Sequence, residues 1–145
     1  MFGNLLKNLN NEEPSNLNEG DKRLAIAALL VRVARSDGDY AANEIKKIDS
    51  VLARRYLLDR NSTISLREKA ELLEEQAPST EVFTRGIKDS VSEKERIKIL
   101  EALWMVSLAD GERDIEEEKI INFISQLLGI SKLDNNLAKL RITHS

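Results

Sequence analysis

Apolar residues recur along most of the chain at the three- and four-residue spacing of helices, and no alternating run is long enough to make a strand. This pattern predicts helices near 21–36, 41–58, 64–76, 79–90, 92–109, 114–128 and 132–141. Proline occurs only at positions 14 and 78, so little interrupts them. Ser65 with Glu68 and Ser92 with Glu95 have capping-box spacing, in which a hydroxyl takes a free backbone N–H and the acid answers it. Ser79, just after Pro78, suits an N-cap, and Gly129 suits a left-handed helix end. Residues 24–31 and 97–108 are apolar nearly all round, which is the mark of helices buried on every side. The expectation is an all-α globular bundle of about seven helices packed around these two.

Residues 1–20 stand apart from that body. Met1, Phe2, Leu5, Leu6 and Leu9 form a short amphipathic stretch, and the Asn- and Glu-rich segment after it, with Pro14 and Gly20, reads as a linker. The chain therefore divides into an N-terminal arm and linker, 1–20, and a helical domain, 21–145. The arm lacks the basic face of a membrane-surface helix, so it is read as packing on its own body. On this division, removing residues 1–20 should leave most of the stability intact.

Sliding the chain on itself by 73 positions aligns the two apolar helices, and with them the turn and helix start at the C-terminal end of each. Leu30 falls on Leu103, Val33 on Val106, Asp37 on Asp110, Gly38 on Gly111, Glu44 on Glu117, Lys46 on Lys119 and Ile48 on Ile121. The shared residues concentrate at one turn, which general amphipathicity does not produce. The domain is thus read as two pseudo-equivalent halves. In each, the aspartate ends a buried helical stripe (Leu30, Val33, Asp37; Leu103, Val106, Asp110) and the glutamate begins another (Glu44, Ile48; Glu117, Ile121, Ile124). Two acids per half are aimed at the edge of the core, where an unpartnered carboxylate is costly.

Two readings answer that cost. In one, the acids are structural: an Asp-Gly corner accepts backbone N–H groups, a glutamate near a helix start complements the dipole, and Asp114 with Glu117 forms a capping pair. In the other, clustered carboxylates without His or Cys hold a hard cation, Ca²⁺, Mg²⁺ or Mn²⁺. The spacing is not that of an EF-hand. Counting from Asp37 puts Ala42 and Ile48 where glycine and glutamate belong, and counting from Asp110 puts Ile115 and Ile121 there. Parallel central helices would bring the two acidic turns together; antiparallel ones would separate them.

The segments LAIAALLVRVARSDGDYAANEIKKID and EALWMVSLADGERDIEEEKIINFISQLLGIS, with their doubled DG[DE]…E turn, resemble the TerB family, tellurite-resistance protein B-like, and especially its small bacterial members. The likeness covers about residues 22–140. It implies an all-helical fold with pseudo-twofold halves, a cytoplasmic protein, and an association with tellurite and other stress responses. It also implies a metal-binding role, which falls on Asp37, Asp39 and Glu44 and on Asp110, Glu112 and Glu117. One position departs from the pattern. Where related turns often carry a Ser or Asp cap, the first copy has Ala41, so its corner is expected to be less rigid than the Asp114 copy.

Composition narrows the remaining classes. There is no cysteine, which removes disulfides, catalytic thiols and thiolate metal sites. The single histidine, His144, lies in the tail, the six glycines never cluster into a phosphate loop, and no serine sits in a nucleophile elbow; the chain is not expected to be an enzyme. A net charge of −3 and few aromatics argue against nucleic acid, and the longest apolar run is too short for a stable membrane insertion. The basic residues Arg32, Arg35, Lys46, Lys47, Arg54, Arg55 and Arg60 cluster in the first half among Asp37, Asp39, Glu44, Asp49 and Asp59, whereas residues 110–118 in the second hold six acids and one arginine. They are read as ordinary solvated faces, with an unknown protein partner or self-association as the functional alternative. The expected function is a non-catalytic, stress-associated binding module holding a divalent cation through its acidic turns. The alternative is a protein–protein interaction scaffold in which those acids are purely structural.

Overall fold

The computed structural model describes residues 5, 6, 9, 17–109, 111, 112 and 114–143. Its helices are α1 (Glu19–Arg35), α2 (Ala42–Tyr56), α3 (Arg60–Gln76), α4 (Glu81–Ser90), α5 (Glu93–Ser107), α6 (Ile115–Leu127) and α7 (Lys132–Thr143), and no strand occurs among the described residues. The bundle is all-α, and both all-round apolar helices lie at its centre. In α1 every residue from 25 to 31 is buried, then Val33 and Ala34; four of these are alanines, which let neighbouring helices approach closely. α1 accordingly packs against α2, α3, α4, α5 and α6, while α5 packs against α1, α2, α4, α6 and α7. Asn18 starts α1 by accepting the Asp21 N–H at 2.8 Å, and Arg32 and Arg35 in its last turn complement the dipole.

Those two arginines also do a second job. The C-terminus of α3 has no basic residue in its last turn. Arg32 donates to the carbonyls of Glu74 and Ala77, both at 3.1 Å, and Arg35 to that of Glu71 at 3.2 Å. Both also pair with the Glu74 carboxylate, at 3.1 and 2.8 Å. The orphan carbonyls of one helix end are thus satisfied from the neighbouring central helix.

Two helix starts differ from expectation. α3 begins at Arg60 rather than near 64, because Asp59 is its cap: Asp59 Oδ1 accepts the Ser62 N–H at 2.7 Å, and Ser65 lies inside the helix. α4 begins after Thr80 rather than Ser79, with helical backbone and no side-chain cap at that residue. Ser92 does cap α5, accepting the Glu95 N–H at 3.3 Å, and Gly129 is left-handed at φ +74°.

Against the expectation that residues 1–20 could be removed at little cost, the arm contributes to the core. Leu5, Leu9 and Leu17 are buried, and α4 receives the latter two at Gly86, where a Cβ would stand 2.7 Å from Leu9 Cδ2 and 3.0 Å from Leu17 Cδ1. On the far side, Trp104 of α5 is buried and its indole N–H donates to Asn135 Oδ1 at 3.0 Å; Asn135 donates in turn to Asn122 Oδ1 at 2.9 Å, joining α5, α7 and α6. Leu9→Ala is therefore expected to cost about 2–5 kcal/mol, and Trp104→Ala about 3–5 kcal/mol, in urea unfolding. Trp104 fluorescence should be blue-shifted and poorly quenched. A Leu9→Ala chain as stable as the parent would show that the arm is only laid on the surface.

Candidate metal centre

At their described residues the two turns share three backbone hydrogen bonds. Ser36 N–H donates to Val33 O and Ala109 N–H to Val106 O, each at 3.2 Å; Gly38 N–H donates to Arg35 O at 3.0 Å and Gly111 N–H to Leu108 O at 3.1 Å. Gly38 and Gly111 have φ of +81° and +78°, a left-handed conformation that other residues adopt only with strain. Both succeeding helices then open with the same backbone bond, Ile45 N–H to Ala41 O and Glu118 N–H to Asp114 O, each at 3.0 Å. The repeat read from the sequence is a repeat of structure at these corners.

Where the corners differ, the difference is chemical. Asp114 caps α6 by accepting the Glu117 N–H at 2.9 Å. Ala41 gives α2 no side-chain cap. The first corner is instead held by its neighbour: Tyr40 O–H donates to Glu71 Oε2 at 2.7 Å, and Arg67 ties Glu71 to Asp49 at 3.1 and 2.6 Å. Burial, followed by the bond to Glu71 and its charge, raises the Tyr40 pKa, so the phenol keeps its proton.

The turns meet at one pole of the bundle. Carboxylate oxygens of Asp37, Asp114 and Glu117 lie within 4.8 Å of one another. Asp37 and Asp114 form the rim, exposed and half-buried respectively, while Glu44 and Glu117 form the floor, each only 2% exposed. Both glutamates occupy the third position of their helices, so the positive ends of α2 and α6 face the cluster. Glu117 Oε1 is buried and receives no hydrogen bond. Burial pushes the Glu117 carboxyl up to about 9, helped by its hydrogen bond to Glu44 and by the charges of Glu44, Asp114 and Asp37.

The sequence of the domain matches the profile described as tellurite resistance protein TerB over residues 23–140. The chain belongs to the TerB family. No curated protein and no solved structure matches it. The TerB resemblance assigns six acids to the site, and the structure distributes them unevenly. Asp37 and Glu117 enter the triad, and Glu44 lies against Glu117 beneath it. Asp39 and Glu112 are exposed and are not members of the triad; the Asp39 N–H donates to Asp37 Oδ1 at 2.9 Å, fixing the rim carboxylate. Asp110 and His144 lie outside the described residues. The third member of the triad, Asp114, is legible in the sequence only as a helix cap.

The raised Glu117 pKa has a direction in stability. The unfolded chain sheds this proton near 4.5, whereas the folded chain keeps it to about 9. The stabilisation is complete below 4.5 and is lost as the pH rises through 9. Without divalent cations, the melting temperature is expected to fall across that window. Glu117→Gln should flatten the slope, so that its stability relative to the parent rises with pH across the window. An unchanged slope in Glu117→Gln would contradict this assignment.

Proposed function

We propose that this TerB chain is a non-catalytic, stress-associated binding module that holds one divalent cation between its two acidic corners and works in the cytoplasm. The observation that supports this most is Glu117: a carboxyl almost wholly buried, pressed against a second carboxyl, with an oxygen that receives no hydrogen bond and two further carboxylates at its rim. A folded chain tolerates such an arrangement by keeping a proton there or by taking up a cation. Asp37, Asp114 and Glu117 would be the ligands, with Glu44 as the charge behind them. An all-oxygen donor set of this kind suits Ca²⁺, Mg²⁺ or Mn²⁺. When bound, the cation supplies positive charge, which lowers the cost of ionising Glu117. Because the ligands come from both halves, binding would cross-link the α1–α2 corner to the α5–α6 corner. The family's description links such domains to tellurite resistance, and the module's place in that response is part of the proposal.

A second reading rests on Asp37 and Asp114, each of which already accepts a backbone N–H at 2.9 Å. In that reading the acids only fix two corners of an interaction scaffold, and the floor carboxyls share a proton permanently.

The two readings give different outcomes. With a bound cation, Ca²⁺, Mg²⁺ or Mn²⁺ added to chelator-treated protein should raise stability by about 2.7 kcal/mol at a hundredfold excess over the dissociation constant. The pair Asp37→Asn with Asp114→Asn should abolish that response. With structural acids, all three cations should leave the melting curve unmoved, and the same pair should cost about 1 kcal/mol per site through lost charge-assisted bonds. The second outcome would overturn the cation assignment.

A further inference from the structure

α7 is apolar on two opposite faces, and its neighbours in the bundle cover one of them. Asn135 and Ala138 are buried and Ile142 packs against the core, so this side of the helix lies on α5 and α6. At 100° per residue, Leu133, Leu137 and Leu140 fall on the opposite side. They are 67%, 40% and 50% exposed, and they form one leucine stripe along two turns of the helix. Single exposed leucines are ordinary on a protein surface, but a helix with two apolar faces is normally sandwiched between two layers. The outer layer is the one to be found.

Leucines spaced by four and then three residues have the pattern of a coiled-coil seam, in which the residues along the edges choose the partner and its direction. On one edge stand Asp134 and Arg141, seven residues apart; on the other stand Asn136 and Thr143, both uncharged. Arg141 pairs with Glu101 at 2.9 Å through Nε, which leaves its two terminal nitrogens for another carboxylate. Asp134 has no ion pair among the described residues. Two copies of α7, packed antiparallel about a two-fold axis beside Leu137, set Leu133 of each against Leu140 of the other. Like edges then face each other, so Asp134 of each copy meets Arg141 of the other, twice over. Parallel packing would leave both charges against the uncharged edge. We propose that the stripe is a self-association surface, through which two copies of this chain pair antiparallel along α7. Three leucines a side make an interface at the small end of the range, so the dimer is weak and reversible, and the ion pairs fix its direction more than its strength. The surface shares no residue with the acidic corner, so either assignment stands or fails without the other.

The test measures the mass of the full chain, free of divalent cations, by sedimentation equilibrium between about 1 µM and about 1 mM. The parent should rise from the mass of one chain toward that of two. Leu137→Glu should stay monomeric throughout and, at the lowest concentration, melt where the parent does. Because the chain has no cysteine, single cysteines report the direction of pairing. An equal mixture of Leu133→Cys and Leu140→Cys, one of them nitrogen-15 labelled, is oxidised and the disulfide dimers are separated by mass. Mixed dimers should exceed clearly the half that random collision gives. A parent that stays monomeric to the top of the concentration range would overturn the proposal, and binding of that monomer to phosphatidylcholine vesicles would give the stripe to a membrane surface instead. A dimer that survives Leu137→Glu would place the interface elsewhere, and like pairs outnumbering mixed ones would contradict the antiparallel arrangement.

Discussion

Everything distinctive in this domain depends on two glutamates that the fold forces together. Glu44 and Glu117 each sit in the first turn of a helix, one in each half of the repeat, and each is 2% exposed. A carboxyl at that depth must lose its charge or gain a compensating one. The helix dipoles of α2 and α6 help, but a dipole end is worth only about 0.3–1 kcal/mol, and two carboxyls share the position. A proton or a cation would meet the remaining demand at this pole.

The surroundings keep that pole from relaxing. α1 is buried along most of its length and pinned to α3 by Arg32 and Arg35, so its C-terminal end, from which Asp37 projects, has little freedom. The first corner lacks a cap and is held by the Tyr40–Glu71–Arg67–Asp49 network instead. The second is held by Asp114, whose carboxylate is both the helix cap and a member of the acidic triad. This division explains the departure at Ala41. An aspartate there would have added a further carboxylate to the pseudo-equivalent position beside Glu44, in a pocket already short of positive charge.

Much of this is readable in the sequence, and for identifiable reasons. The central helices are visible because a helix with no polar face has only one stable environment, and the paired corners because Asp-Gly imposes a left-handed glycine in both copies. Family membership rests on the same residues. The displaced start of α3 has a local cause: Ser65 and Glu68 imitate a capping box, but Asp59 accepts the Ser62 N–H first, and Thr63 is buried within the first turn. The sequence neighbours of Asp114 show a cap; its approach to Asp37 is a contact between halves that no local pattern encodes. The seating of Leu9 and Leu17 over Gly86 is of the same kind, since a helical glycine does not announce which side chain replaces its missing Cβ.

The central claim is that Glu117 keeps its proton at neutral pH and gives it up to a cation. Carbon-13 NMR of its side-chain carboxyl, assigned through Glu117→Gln, reads that protonation directly. The account predicts that this carbon titrates near pH 9 in chelated protein. It also predicts that saturating Ca²⁺ or Mg²⁺ at pH 7 moves the carbon to its ionised shift. Titration in the ordinary carboxylate range, with no change on adding either cation, would contradict it.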